Sequence, residues 1–308
     1  MNDFLLRPMN GGDRAEVAEL IYLSTNAWYQ SHGWPRIFSG DPSVADVFFE
    51  VYEALDPGCA LVVEHTRTKR LVGSCFVHPR PTHVSLGIMN SHPNYAGRGI
   101  ARLLLQRIID DAERSGLPVR LVSSALNLDS FSLYTRAGFV PRRTFQDMYL
   151  AVPPGGLNIR AQVAGTVRNA RPGDVQAMVA LEKELAGIER GKDFAYFIEN
   201  AQGFWHTSVL EGENGIEGFL VSCAHRGMNM LGPGVARGED HAAALILREL
   251  DQHRGRQPVF LVPVDCGHLV RTLYGWGARN CELHLAQVRG EAAPLRGVIM
   301  PTFLPESA

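Results

Sequence analysis

The chain has 308 residues, 45% of them hydrophobic and 20% charged, with a net charge of −2 at pH 7. This composition fits a globular protein of about two domains, each long enough to bury a core, and it lacks the basic surplus that marks a nucleic-acid partner. The five cysteines, Cys59, Cys75, Cys223, Cys266 and Cys281, are odd in number and include no C-x-x-C pair. They argue against a disulfide framework or a cysteine zinc site, so no metal and a reducing, cytoplasmic setting are expected. The first residues show no basic stretch followed by an apolar run, and no apolar run approaches the ~18 residues of a membrane span, so neither a signal peptide nor membrane insertion is expected.

In chain order, a short strand around "LRP" leads through a turn into a helix from about Asp13 to Tyr29. Asp13 is its expected N-cap, with Glu16 three residues on completing a capping box. The helix runs into "NAWYQSHGWPRIF", where Trp28, Tyr29, His32, Trp34 and Phe38 crowd a proline-broken loop. These rings either staple the helix to the core or offer aromatic faces to an ammonium group. A second helical stretch, "DPSVADVFFEVYEAL", precedes three strand-like runs, "CALVVEH", "LVGSCFVH" and "THVSLGIMN".

Next comes "HPNYAGRGIARLLLQRI", which places Gly97 and Gly99 directly ahead of a leucine-rich helix. Glycine weakens a helix interior, so both belong to the last turn before it. A helix start leaves N–H groups unsatisfied and carries about half a positive charge. Glycines there let the backbone curl into a nest that admits an anion, which makes "AGRGIA" a cradle for a pyrophosphate. It is not a P-loop, and the third glycine of a dinucleotide fingerprint would fall at Arg102. A strand "VRLVSSAL", a short helix around "SFSLYTRAG" and a strand near "FQDMYLAV" follow, and "AVPPGGLN" (151–158) reads as a linker. Consecutive strands first and β-α-β afterwards predict an α/β (α+β) unit, half antiparallel and half parallel.

The plan occurs twice. A constant offset of 161 matches Arg7, Gly12, Asp13 and Leu20 with Arg168, Gly173, Asp174 and Leu181, and "LYTRAG" at 133–138 resembles "LYGWG" at 273–277. Two domains are expected, 1–152 and 153–308. Aligning the long helices at an offset of 141 makes "RGEDHA" (237–242) the second copy's loop, with Asp240 in place of the glycine and Glu239 before it. Two carboxylates facing a pyrophosphate cost on the order of 1 kcal/mol each, and Asp240 would also cap the helix. The second copy is therefore expected to be degenerate and structural.

"SHPNYAGRGIA", together with Asn127 and "LYTRAGFVP" (133–141), resembles the GNAT superfamily of N-acetyltransferases over roughly residues 3 to 150. The family hallmark, Q/R-x-x-G-x-G/A, is kept at Gly99 and Ala101, with the preceding proline at Pro93. It departs at Ala96, where the family has Gln or Arg. The resemblance implies two tandem GNAT-like domains, each a mixed, mostly antiparallel splayed sheet flanked by helices, with acetyl-CoA as co-substrate. It implies direct transfer of the acetyl group to a primary amine of a small molecule or peptide, with no covalent enzyme intermediate.

By the same resemblance, Met89, Asn90 and Ser91 would pair with the pantetheine arm like an added strand. The N–H groups of Ala96, Gly97, Arg98, Gly99, Ile100 and Ala101 would take the pyrophosphate, and Arg98 would brace a phosphate. Tyr134 matches the family tyrosine that protonates the departing thiolate, a donor role open to a phenol of pKa ~10. Asn127 would contact the pantetheine or the early helix. The family's base position falls on Ser85, which is not basic at neutral pH. His83 shares its strand face and would accept the ammonium proton through a water held by Ser85. The alternative, kept open by Ala96 and Ser85, is a pair that has lost catalysis and serves as an acyl-CoA-binding or protein-interaction module.

Overall fold

The computed structural model describes residues 3–161 and 163–307, which pack as two compact units. The first holds the described residues up to Pro79, then His83–Val119 and Phe303–Glu306; the second holds Arg80–Thr82 and Arg120–Thr302.

The first unit contains β1 (Phe4–Pro8), α1 (Arg14–Ser31), α2 (Asp46–Leu55), β2 (Leu61–His65), β3 (Leu71–Arg80), β4 (His83–Ser91) and α3 (Ile100–Arg114). Strands β1 to β4 lie side by side in sequence order, and β2 is antiparallel to both β1 and β3. Helix α3 buries Leu104, Leu105, Ile108, Ile109 and Ala112, one apolar stripe at helical spacing, and leaves Gln106, Arg107, Asp110 and Asp111 outside it. Gly73 on β3 sets the helix position: a Cβ there would fall 2.4 Å from Ile100 Cγ2.

Asp13 is the N-cap residue of α1, as expected, but its side chain makes no capping hydrogen bond to the helix. A 3₁₀ turn (Gly11–Asp13) precedes the helix and moves the capping box one turn earlier. Asn10 Oδ1 accepts from the Gly12 N–H at 2.9 Å, and Asp13 accepts from the Asn10 N–H at 2.8 Å. Asp13 also takes both arms of the Arg7 guanidinium at 2.8 Å, which holds its carboxyl below the usual range. Glu16 accepts instead from the Leu71 N–H at 3.0 Å. The second copy repeats the device: Asp174 accepts from the Arg171 N–H at 2.7 Å and pairs with Arg168 at 2.8 and 2.9 Å. The Arg and Asp matched at an offset of 161 are thus the two ends of one bidentate ion pair.

The second unit contains β5 (Val119–Ser124, all but its first residue), α4 (Leu128–Arg136), β6 (Val140–Tyr149), β7 (Thr166–Asn169), α5 (Val175–Ala186), α6 (Gly191–Glu199), β8 (Trp205–Gly212), β9 (Gly215–His225), β10 (Met228–Ala236), α7 (Glu239–Leu250), β11 (Val259–Pro263), α8 (Gly267–Gly275), β12 (Arg279–Arg289) and β13 (Val298–Met300). Its strand order is β5-β12-β6-β11-β10-β9-β8-β7, with β13 on β10. β6 is antiparallel to β11 and β12, β8 to β7 and β9, and β10 to β9 and β13, whereas β10 and β11 run parallel.

The two repeats exchange their last strands. β6, from the first repeat, lies antiparallel to both β11 and β12 of the second, and β12 inserts between β5 and β6. Met148 and Leu150 of β6 accordingly join Leu220, Leu231, Phe260 and Val262 in the second unit's core. This exchange is why residues 120–152, which the repeat assigns to the first copy, pack with the second unit.

His253, fully buried behind β10, bonds through Nδ1 to Asn229 Oδ1 at 2.8 Å. Burial lowers its pKa to about 4, against a weaker opposing pull from Glu249. A group whose folded pKa is depressed stabilises the fold above its unfolded pKa of ~6.5 and loses that contribution as pH falls toward the folded value. Unfolding free energy is expected to drop by about 3 kcal/mol between pH 6.5 and 4 from this group. Denaturant titrations across that range should show a shallower fall in His253→Gln; equal slopes in the two proteins would contradict the assignment.

Candidate active site

The β4–α3 connection runs from His92 to Gly99. His92 Nδ1 accepts from the Asn94 N–H, and Pro93–Tyr95 form a 3₁₀ turn. Within the loop the Ala96 N–H donates to Pro93 O and the Arg98 N–H to Tyr95 O, so these two are engaged. Gly97 and Gly99 then adopt φ of +74° and +82°, in the left-handed region that favours glycine, and Gly99 is the N-cap of α3. Among the described residues, the N–H groups of Gly97, Gly99, Ile100 and Ala101 donate to no acceptor. A Cβ on Gly97 or Gly99 would meet nothing within 4 Å, so the glycines serve the backbone conformation rather than close packing. The Arg98 guanidinium lies over the rings of Phe4 (5.8 Å) and Tyr95 (5.9 Å).

Met89 and Ser91, at the end of β4, are half-buried. Asn90 between them is buried and donates to Ser24 Oγ at 2.7 Å, while its Oδ1 has no partner among the described residues. Upstream on the same strand, His83 (1% exposed) and Ser85 (3% exposed) meet, Nε2 to Oγ, at 3.1 Å. The alternation of strand side chains that paired them in the sequence holds, and both are buried.

Asn127 and Tyr134 belong to the second unit. Asn127 is the N-cap of α4, its Oδ1 accepting from the Ser130 N–H at 3.0 Å. Tyr134 is buried on α4, its ring 5.8 Å from that of Phe139.

The crowded aromatics divide. Phe38 is buried against Phe48 and Tyr22, and Asn26 fixes its loop by accepting from the N–H groups of Ile37 and Phe38 and donating to Phe38 O. Trp28 stacks on His32 at 4.3 Å and Trp34 is 46% exposed. Phe38 is therefore the staple, and only the rings of 28–34 stay near solvent.

The second copy lacks the loop altogether. Eight residues (92–99) join β4 to α3, but only Arg237 and Gly238 join β10 to α7. Gly238 is the N-cap, so Asp240 is not; Glu239 and Asp240 form the first helical turn. Glu239 accepts from the Leu269 N–H at 2.6 Å, Asp240 pairs with His268 at 3.0 Å, and Arg237 pairs with Glu184. β4 and β10 are both nine residues long, so Gly234–Ala236 correspond to Met89–Ser91. Those residues of β10 are already paired with β13, Gly234 opposite Met300 and Ala236 opposite Val298.

Asp147, Glu282 and His284 place potential ligand atoms within 4.8 Å of one another. Within this group His284 Nδ1 bonds Asp147 at 3.0 Å, and Glu282 accepts from the Ser124 hydroxyl. Two features of the molecule left no signal in local sequence pattern: the β13 strand that covers β10, and Glu306, which reaches Tyr52 in the first unit.

A sequential sheet, a glycine-capped helix after its fourth strand, and a second copy of the same plan define the tandem GNAT fold. Residues 13–139 match the model of the acetyltransferase (GNAT) family. The fold is shared with a Pyrococcus horikoshii protein assigned to the acetyltransferases (TM-score 0.74, 17% identity, 100% of this chain and 95% of that one). A GCN5-related N-acetyltransferase from Sphaerobacter thermophilus is similar at TM-score 0.66 and 18% identity over 96% of this chain and 98% of its own. A tandem GNAT protein from the clavulanic acid biosynthesis pathway gives TM-score 0.59 and 13% identity over 94% and 99%. No curated protein matches the sequence. Among the described residues, no helix is long and apolar enough to cross a membrane.

Proposed function

We propose that the protein transfers the acetyl group of acetyl-CoA to a primary amine of a small molecule or peptide by direct attack of the amine on the thioester. The observation that carries this reading is the set of N–H groups of Gly97, Gly99, Ile100 and Ala101, without acceptors at the start of a 15-residue helix inside the GNAT-matched segment. Unsatisfied N–H groups and the helix dipole together favour a pyrophosphate there. The polar, unpartnered Oδ1 of Asn90 at the end of β4 supports a ligand along Met89–Ser91. Holding thioester and amine together supplies much of the rate. Tyr134 is assigned the proton for the departing thiolate from its place in "LYTRAGF", and His83, whose Nε2 meets the Ser85 hydroxyl on β4, is the basic side chain of that pair.

The second copy has neither the loop nor an open strand at Gly234–Ala236, so calorimetry should find one CoA per chain. A stoichiometry of two would refute its degeneracy. Release of thiol from acetyl-CoA with a panel of amines tests the activity. CoA binding with no turnover on any amine would favour the alternative, an acyl-CoA-binding or interaction module.

A further inference from the structure

β12 and β6 pair across the strand exchange, and their ladder carries an irregularity between Asn280 and Glu282. Before it Arg279 lies opposite Tyr149 and Asn280 opposite Met148; after it Glu282, not Cys281, lies opposite Asp147. The extra residue decides which side chains share a face. Side chains alternate along a strand, so an unbroken register would set Asp147 with Cys281 and Leu283. The bulge sets it with Glu282 and His284 instead. Bulges beside functional sites re-aim side chains in this way.

Asp147 and His284 are buried, and Glu282 is partly buried. One potential ligand atom from each lies within 4.8 Å of the others. His284 Nδ1 stands 3.0 and 2.9 Å from the two Asp147 carboxylate oxygens, and the Ser124 hydroxyl of β5 donates to Glu282. Two carboxylates directly opposite each other in a ladder repel, and taking them out of water adds to the cost. A protonated His284 offsets one of the two charges. A divalent cation on the neutral imidazole offsets both. Ligand atoms each about 2.0–2.2 Å from one ion lie within ~4.4 Å of one another, close to the spacing already present. The cysteine pattern argues only against thiolate ligation; these donors are nitrogen and oxygen.

We propose that Asp147 of β6 and Glu282 and His284 of β12 bind one divalent transition-metal ion, with Zn²⁺ the best match to one imidazole and two carboxylates. The ion ties the last strand of the first repeat to the last strand of the second, so the exchange is held by coordination as well as by the ladder. Three protein ligands leave a fourth position for water. The site lies within the second unit and does not depend on acetyl transfer.

The test is calorimetric titration of ZnCl₂ into the full chain, stripped with EDTA and dialysed free of it, followed by thermal unfolding with and without the ion. Wild type should bind one ion with Kd below about 1 μM, and a saturating excess should raise Tm by about 5–10 °C. His284→Ala should weaken this binding by at least about 100-fold and lose the Tm shift. Glu282→Gln keeps the side-chain shape and removes one charge, so it answers the case in which His284→Ala does not fold; it should weaken binding by at least about tenfold. His268→Ala, at an exposed histidine outside the group, should bind and melt as wild type does. No tight site in wild type, an equally tight site in the His284 and Glu282 variants, or a Tm unmoved by bound Zn²⁺ overturns the metal clip.

Discussion

Gly99→Glu is expected to abolish CoA binding in a protein that still folds. Gly99 sits at φ +82° as the N-cap of α3, and nothing lies within 4 Å of the position a Cβ would take. The new side chain meets no steric clash; it pays roughly 1–2 kcal/mol for a left-handed backbone. Its carboxylate, however, enters the space in front of the Gly97, Gly99, Ile100 and Ala101 N–H groups, where the phosphates are proposed to lie. Gly99→Ala separates the two effects, because it carries the backbone strain without the charge. By calorimetry Gly99→Ala should weaken binding by about tenfold, the equivalent of ~1.4 kcal/mol, and Gly99→Glu should show no binding. CoA binding by Gly99→Glu at the Gly99→Ala level would mean that the pyrophosphate lies elsewhere.

The glycine turn and α3 were legible because both signals are local: a helix period in one run of residues and two glycines where a helix cannot yet have begun. The Arg7–Asp13 and Arg168–Asp174 pairs were visible as a repeat but not as ion pairs, since a cap and a salt-bridge acceptor look alike in sequence and only the intervening 3₁₀ turn decides between them. The exchange of β6 and β12 was not legible. Period-two alternation says which face of β6 is buried, but it is the same whichever strands flank it. Aligning the copies on their long helices also concealed the missing loop: it set Asp240 against a glycine, whereas the strands show that the whole turn is absent. Glu306 touches Tyr52 across a separation of 254 residues, beyond any pattern that spacing can carry.

Glu182 was equally hidden, as one acidic residue in "VALEKELA", and its removal should be among the costliest changes to stability. It is fully buried on α5 and takes the guanidinium of Arg190, itself 3% exposed, at Nε 3.0 Å from both carboxylate oxygens and through Nη2. Burial pushes its carboxyl up, against the pull of Arg190. The Arg190 guanidinium also faces the Phe194 ring at 5.6 Å. Removing one member leaves the other as an uncompensated buried charge, which costs about 3–5 kcal/mol. Removing both and filling the space costs much less, because the desolvation of two ions disappears with their attraction. Chemical denaturation of Glu182→Ala, Arg190→Met and the double variant Glu182→Leu/Arg190→Met measures this. Each single variant should lose about 3–5 kcal/mol, and the double variant should lie closer to wild type than either. If the double variant instead loses the sum of the two, the residues act independently and the buried pair does not hold α5 to the segment before α6.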